Sequence, residues 1–162
     1  MDSPRDQAAP FWREAAVAGA IGAGTIAAWF LVLDVLRGRP LFTPTVLGTA
    51  LVRGPGLASP ETLPVSVPLV LLFTLVHGVV FVALGAVACG LVRLAEKNEN
   101  YGFGLILFFV FLICGFLFVA MLFAGDVLRA LAWPAILVGN VLAVAAMALY
   151  LKPRHPNVRM LP

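Results

Sequence analysis

The sequence predicts an all-α polytopic membrane protein: a bundle of four transmembrane helices with a short interfacial helix in its first external loop. Three observations carry this. The chain of 162 residues is 62% hydrophobic and only 12% charged, against about 25% charged in an ordinary soluble domain, so it cannot cover a core of its own with polar surface. Its apolar residues gather into four stretches, residues 11–36, 68–94, 101–124 and 128–151, each near or above the roughly 20 residues that cross a bilayer as a helix. None of the four shows the two-residue alternation of a barrel strand, and in lipid the backbone must satisfy its own hydrogen bonds, which leaves helices.

The first span follows a short tail, residues 1–10, whose opening Met1-Asp2-Ser3-Pro4-Arg5-Asp6 mixes acids and bases. The apolar run behind it is longer than the roughly 7–15 residues of a signal-peptide core, so it reads as a retained span. The loop at 37–67 is rich in Gly and Pro and cannot be regular throughout. Within it, Thr43 is placed to cap a helix whose first position is Pro44, and Val46, Leu47, Ala50 and Leu51 form one face opposite Thr45 and Thr49. A helix over about 44–52 lying in the outer interface is expected. Ser59-Pro60-Glu61 repeats the cap-then-proline pattern and suggests a second brief turn. The connections at 95–100 and 125–127 are short enough to make their flanking spans antiparallel neighbours. A second tail, 152–162, completes one transmembrane domain covering 1–162. Asp34-Val35-Leu36-Arg37 is echoed by Asp126-Val127-Leu128-Arg129, as two parallel hairpin repeats would require.

Orientation follows from the basic residues. Arg5, Arg13, Arg93, Lys97, Lys152, Arg154 and Arg159 fall on one side, and Arg37, Arg39, Arg53 and Arg129 on the other. The richer side is cytoplasmic by the positive-inside rule, which puts both termini inside. Trp12, Tyr101 and Tyr150 then lie at the inner interface and Trp133 at the outer one.

Small residues mark the expected helix contacts, because helices in lipid associate through close approach and hydrogen bonds: Ala18/Gly22, Ala20/Gly24 and Gly24/Ala28 in the first span, Ala86/Gly90 in the second, Gly139/Ala143 in the fourth. Phe103, Phe108, Phe109, Phe111, Phe116, Phe118 and Phe123 surround the third span, a surface suited to lipid, a broad partner, or a pigment or quinone. His77 is the histidine at membrane depth, about nine residues or roughly 14 Å into its span, where an ionisable group is a functional candidate. Asn140 and Thr25 fall near the same level, so a neutral His77 bonded to one of them, or to a backbone carbonyl, is the expected packing role. The alternatives are axial ligation of haem or a chlorophyll-type pigment by His77, or a proton or ligand site there, although His155 lies in the tail and no second membrane histidine exists for a bis-histidine haem. Asp34 with Arg37, and Asp126 with Arg129, are expected as interfacial ion pairs.

Cys89 and Cys114 sit within apolar stretches and form no CxxC motif. The sequence contains no HExxH, GxSxG or phosphate-binding loop, and no catalytic or metal site is expected. The excess of 11 Lys+Arg over 8 Asp+Glu is dispersed between apolar blocks rather than interleaved with aromatics, so nucleic acid is excluded as a partner.

The run from Asp34 to Gly48, the span around His77-Gly78 and the ending Tyr150-Leu-Lys-Pro-Arg-His-Pro156 together resemble a set of uncharacterised four-helix inner-membrane proteins of GC-rich bacteria. The resemblance covers most of the chain and implies the topology and a bacterial inner-membrane location, with no activity attached. The polar inventory at membrane depth is too poor for a transport path. The expected function is therefore a non-catalytic accessory subunit, partnered by lipid and by other membrane-protein subunits in a respiratory or photosynthetic complex. A small homo-oligomeric transporter or channel built around His77 and Asn140 is the alternative, and a cofactor-binding protein using His77 a third reading.

Overall fold

The computed structural model describes residues 4–54, 62–97, 100–115 and 133–156, and these are mostly helical, with no strand among them. Helix α1 runs Pro4–Leu36, α2 Phe42–Arg53, α3 Val67–Lys97 and α4 Asn100–Val110, continued by a π-helical turn at Phe111–Gly115; α5 runs Trp133–Leu151 and ends in a 3-10 turn at Lys152–Arg154. Among the described residues, three helices are long and apolar enough to cross a membrane: Pro10–Leu36, Val67–Lys97 and Trp133–Arg154. At a rise of about 1.5 Å per residue, the shortest of these, 22 residues, measures about 33 Å, which matches a hydrocarbon core of about 30 Å. The expected third span is described as far as Gly115, as a shorter apolar helix over Gly102–Cys114. Its remainder, with Phe116, Phe118 and Phe123, lies outside the described residues, as do Asp126 and Arg129 of the expected ion pair and hairpin echo, and the Ser59–Glu61 turn.

Helix α1 is the central element, packed along α3 on one side and α5 on the other. Close approach rests on small residues. A Cβ on Gly19 would strike the Phe81 carbonyl, and one on Gly85 would strike the Ala15 carbonyl, so the two backbones touch where both glycines sit. Gly22 makes room for Met147 and the Phe81 ring, and Gly139 for the Trp29 indole. Of the expected small-residue faces, Ala18/Gly22 and Gly139/Ala143 are buried in these contacts. The Ala20/Gly24/Ala28 face of α1 is exposed, and a Cβ on Gly24 or Gly90 would meet nothing within 4 Å. A helix has several small-residue stripes, and only the neighbour's position decides which one is used.

Two apolar clusters form the interior. Ala15, Ala18, Ala88, Cys89, Val92, Leu105, Met147 and Leu151 pack at the end that carries the start of α1 and the close of α5. Phe30, Phe42, Val46 and Ile136 pack at the other. Trp29 Nε1 donates to the Ala135 carbonyl at 2.8 Å, tying α1 to the first turn of α5 across 106 positions of sequence.

Helix α2 forms where a helix is expected, but its threonines lie on the buried side together with Val46 rather than opposite it. It docks on α1 and α3 with its threonines inward: Thr45 and Thr49 are 1% and 2% exposed, and Leu51 and Val52 are on the outside. Each threonine can be buried because its hydroxyl donates to the carbonyl four residues back, Thr45 to Leu41 and Thr49 to Thr45. Gly48 has no room for a Cβ against the Leu69 carbonyl, so this face is the one that approaches α3 closely.

Candidate functional site

Three polar loci stand out on this frame, one at each end and one between them.

At the corner where α1 ends, it gives way to α2 through Gly38 at φ 69° and Leu41 at φ 64°. The second is a left-handed backbone held by a β-unbranched residue that ordinarily avoids it. The turn is held from below: Arg39 N–H donates to the Asp34 carbonyl at 2.8 Å, and Phe42 N–H to the Arg39 carbonyl at 3.1 Å. Leu41, at the cap position of α2, offers no side-chain acceptor. Asp34 does so instead. Its Oδ2 accepts the Thr43 N–H and its Oδ1 the Thr43 hydroxyl, both at 2.8 Å. A carboxylate facing the amino end of a helix satisfies an orphan donor and meets the positive end of the helix dipole. Thus Thr43, expected to cap the helix, is the capped residue. No ion pair joins Asp34 to Arg37 among the described residues; Arg37 is exposed, and Arg39 lies over the Phe42 ring at 4.0 Å.

Between these ends, His77 lies between aromatic rings one helical turn away on either side, stacked with Phe73 at 5.3 Å and tilted against Phe81 at 4.6 Å between centroids. The ring interacts with the backbone of Ala23, while Nε2 is buried with no partner among the described residues. The expected partners are engaged elsewhere. Asn140 Nδ2 donates to the Ile113 carbonyl at 3.3 Å, inside the π-helical turn, where the widened backbone frees a carbonyl. Thr25 donates to the Ile21 carbonyl of its own helix at 2.8 Å. No hydrogen bond joins His77, Asn140 and Thr25 among the described residues. An axial ligand must offer its nitrogen to a metal at the centre of a wide macrocycle. Nε2 of His77 is enclosed by the protein itself, so this nitrogen does not fit haem or a chlorophyll-type pigment.

Beside this ladder, an open groove of about 390 Å³ between α1 and α3 is lined by Ala20, Thr74, Leu75, Gly78, Val79 and Val82. Its one polar side chain, Thr74, is closed onto the Val70 carbonyl at 2.7 Å.

At the end that carries the start of α1 and the close of α5, α1, α3 and the segment after α5 converge on a cluster that sequence reasoning missed. Glu14 Oε1 lies 2.9 Å from His155 Nε2, and its Oε2 lies 3.4 Å from Arg93 Nη2. The other ring nitrogen, His155 Nδ1, is 3.0 Å from Glu96 Oε1. His155 and Glu14 side chains are 10% and 13% exposed. Arg93 also covers the Phe11 ring at 4.8 Å. The available signal was a carboxylate at Glu14, one turn into the first apolar stretch, needing a cation; the basic residues of the tail were counted for orientation instead. No group of three or more His, Cys, Asp or Glu among the described residues is arranged to hold a metal.

No protein-family model, curated protein or solved structure matches this chain. The functional reading therefore rests on the geometry.

Proposed function

We propose that the protein is a non-catalytic accessory subunit that packs, as a four-span bundle, against a larger respiratory or photosynthetic complex in the bacterial inner membrane, with both termini cytoplasmic and α2 in the outer interface. One observation carries this reading: apart from the His77 ring, the polar side chains described at membrane depth are closed onto backbone carbonyls. Thr25, Thr74, Asn140 and Trp29 all end on main-chain oxygen, and they converge on no common cavity. A transport path needs polar groups lined up along a space that water or substrate can enter, whereas the open groove here is apolar. The exterior is correspondingly available for a partner. Leu71, Leu75 and Val79 on α3 and Phe103 and Phe111 at the α4 end are all more than half exposed.

The experiment is affinity purification of the full chain from native membranes in mild detergent, with mass spectrometry of what accompanies it. Stoichiometric recovery of subunits of one energy-transducing complex is the expected result. A chain that purifies alone as a homo-oligomer and conducts ions or solutes in proteoliposomes is a transporter. Loss of that flux in His77→Gln would assign the path to His77.

A further inference from the structure

The Glu14–His155–Glu96 cluster has a feature that a simple ion pair lacks. A neutral imidazole carries a proton on one nitrogen and a lone pair on the other, whereas the imidazolium donates from both. His155 has a carboxylate oxygen at about hydrogen-bond distance from each nitrogen, Glu14 at 2.9 Å and Glu96 at 3.0 Å. Both contacts are attractive only when the ring holds both protons. The two carboxylates belong to different helices, α1 and α3, and the imidazole to the segment after α5, so the proton count on one ring governs a three-way junction.

The neighbouring charges sharpen the effect. On α1, Glu14 faces the ring and Arg13 is exposed. On α3, Glu96 faces it and Arg93 reaches Glu14 from the far side; Lys97 is exposed. In the segment of His155 itself, Lys152 is exposed and Arg154 is turned back on α5, its Nη1 donating to the Tyr150 carbonyl at 2.8 Å and its guanidinium over the Tyr150 ring at 3.8 Å. Arg93 and an imidazolium balance Glu14 and Glu96. Removing one ring proton leaves a net negative cluster with a nitrogen lone pair directed at a carboxylate.

We propose that Glu14, His155 and Glu96 form a proton-operated latch, which holds the segment after α5 against α1 and α3 while the ring is doubly protonated and releases it when one proton is lost. The sign is fixed by the geometry: docking favours the protonated ring, so the docked state is present at low pH and is lost as pH rises. Backbone anchoring of the segment is slight, since the His155 N–H reaches Leu151 O at 3.2 Å and Lys152 O at 3.3 Å, contacts that belong to its own turn. The latch goes beyond the accessory role and does not depend on it.

The full chain in lipid nanodiscs, labelled with ¹⁵N-histidine, tests this directly, because the chain has only two histidines and their ring signals separate. A spin label on Pro156→Cys, in a background with Cys89→Ala and Cys114→Ala, reports the segment's motion. The ring signals of His155 are followed from about pH 5 to about pH 9, so that the imidazolium and neutral rings are told apart. The immobile component of the label should be lost as the first gives way to the second. His155→Gln keeps one donor and cannot titrate, so its label should show the same mobility at both ends of the range. The proposal is overturned if the label stays immobile throughout in the otherwise unsubstituted protein, if the pH response survives in His155→Gln, or if the docked state shows a neutral ring with the proton held on a carboxylate.

Discussion

A carboxylate that is 1% exposed persists at the end of a membrane helix because two donors of a single residue meet its two oxygens. Asp34 receives the backbone and the hydroxyl of Thr43, and through them the start of α2. Asp34→Ala removes a helix cap and leaves a buried hydroxyl and a buried amide without acceptors, a cost of about 1–3 kcal/mol. Asp34→Asn keeps one acceptor and should cost less. Thermal or denaturant unfolding in nanodiscs, followed by circular dichroism, should rank the stabilities as Asp, then Asn, then Ala; an unchanged midpoint for Ala would show that α2 does not need this cap. The residues of this corner are contiguous in sequence, yet their pairing was not legible there. Asp34 lies one helical turn from Arg37, and sequence spacing favours that pair. What decides otherwise is the reversal at Gly38 and Leu41, which swings Thr43 over the carboxylate while Arg37 points outward.

At the scale of the elements, the helices were largely legible and their faces less so. Hydropathy sums over some 20 positions, which makes a span robust to any one residue, and the expected starts and ends of the first two spans fall within a few residues of α1 and α3 where each borders the loop. The π-helical turn and the inward threonines of α2 were hidden, because both depend on what a neighbouring helix presents. The same limit applies to glycines. Gly19 and Gly85 sit where backbones touch, and Gly24 and Gly90 face open space, although all four look alike in sequence. Gly19→Ala or Gly85→Ala must push α1 from α3 and should cost about 1–3 kcal/mol, as overpacking does. Gly24→Ala and Gly90→Ala should stay within about 0.5 kcal/mol of the parent. Unfolding by titration with a denaturing detergent separates the two pairs, and equal effects from all four would place the α1–α3 contact elsewhere.

For the whole molecule, long-range pairing is what sequence could not supply: Glu14 and His155 are 141 residues apart, and neither names the other. That pairing nevertheless bears on orientation, because it fixes the start of α1 and the segment after α5 at the same end. The positive-inside count then has one question left, which side of the bilayer that end faces. The excess of Lys and Arg at it predicts the cytoplasm. A reporter active only in the periplasm should be silent when fused after Pro162. The opposite face offers an independent check from α2, whose outer surface carries Leu51 and Val52 while Thr49 is buried against its neighbours. In intact cells stripped of the outer-membrane barrier, Leu51→Cys should react with an impermeant thiol reagent and Thr49→Cys should be protected. The native Cys89 and Cys114 are replaced by Ala for this measurement. If the reporter is active and Leu51→Cys reacts only after lysis, the bundle is inserted the other way up, and the Glu14–His155–Glu96 cluster faces the periplasm rather than the cytoplasm.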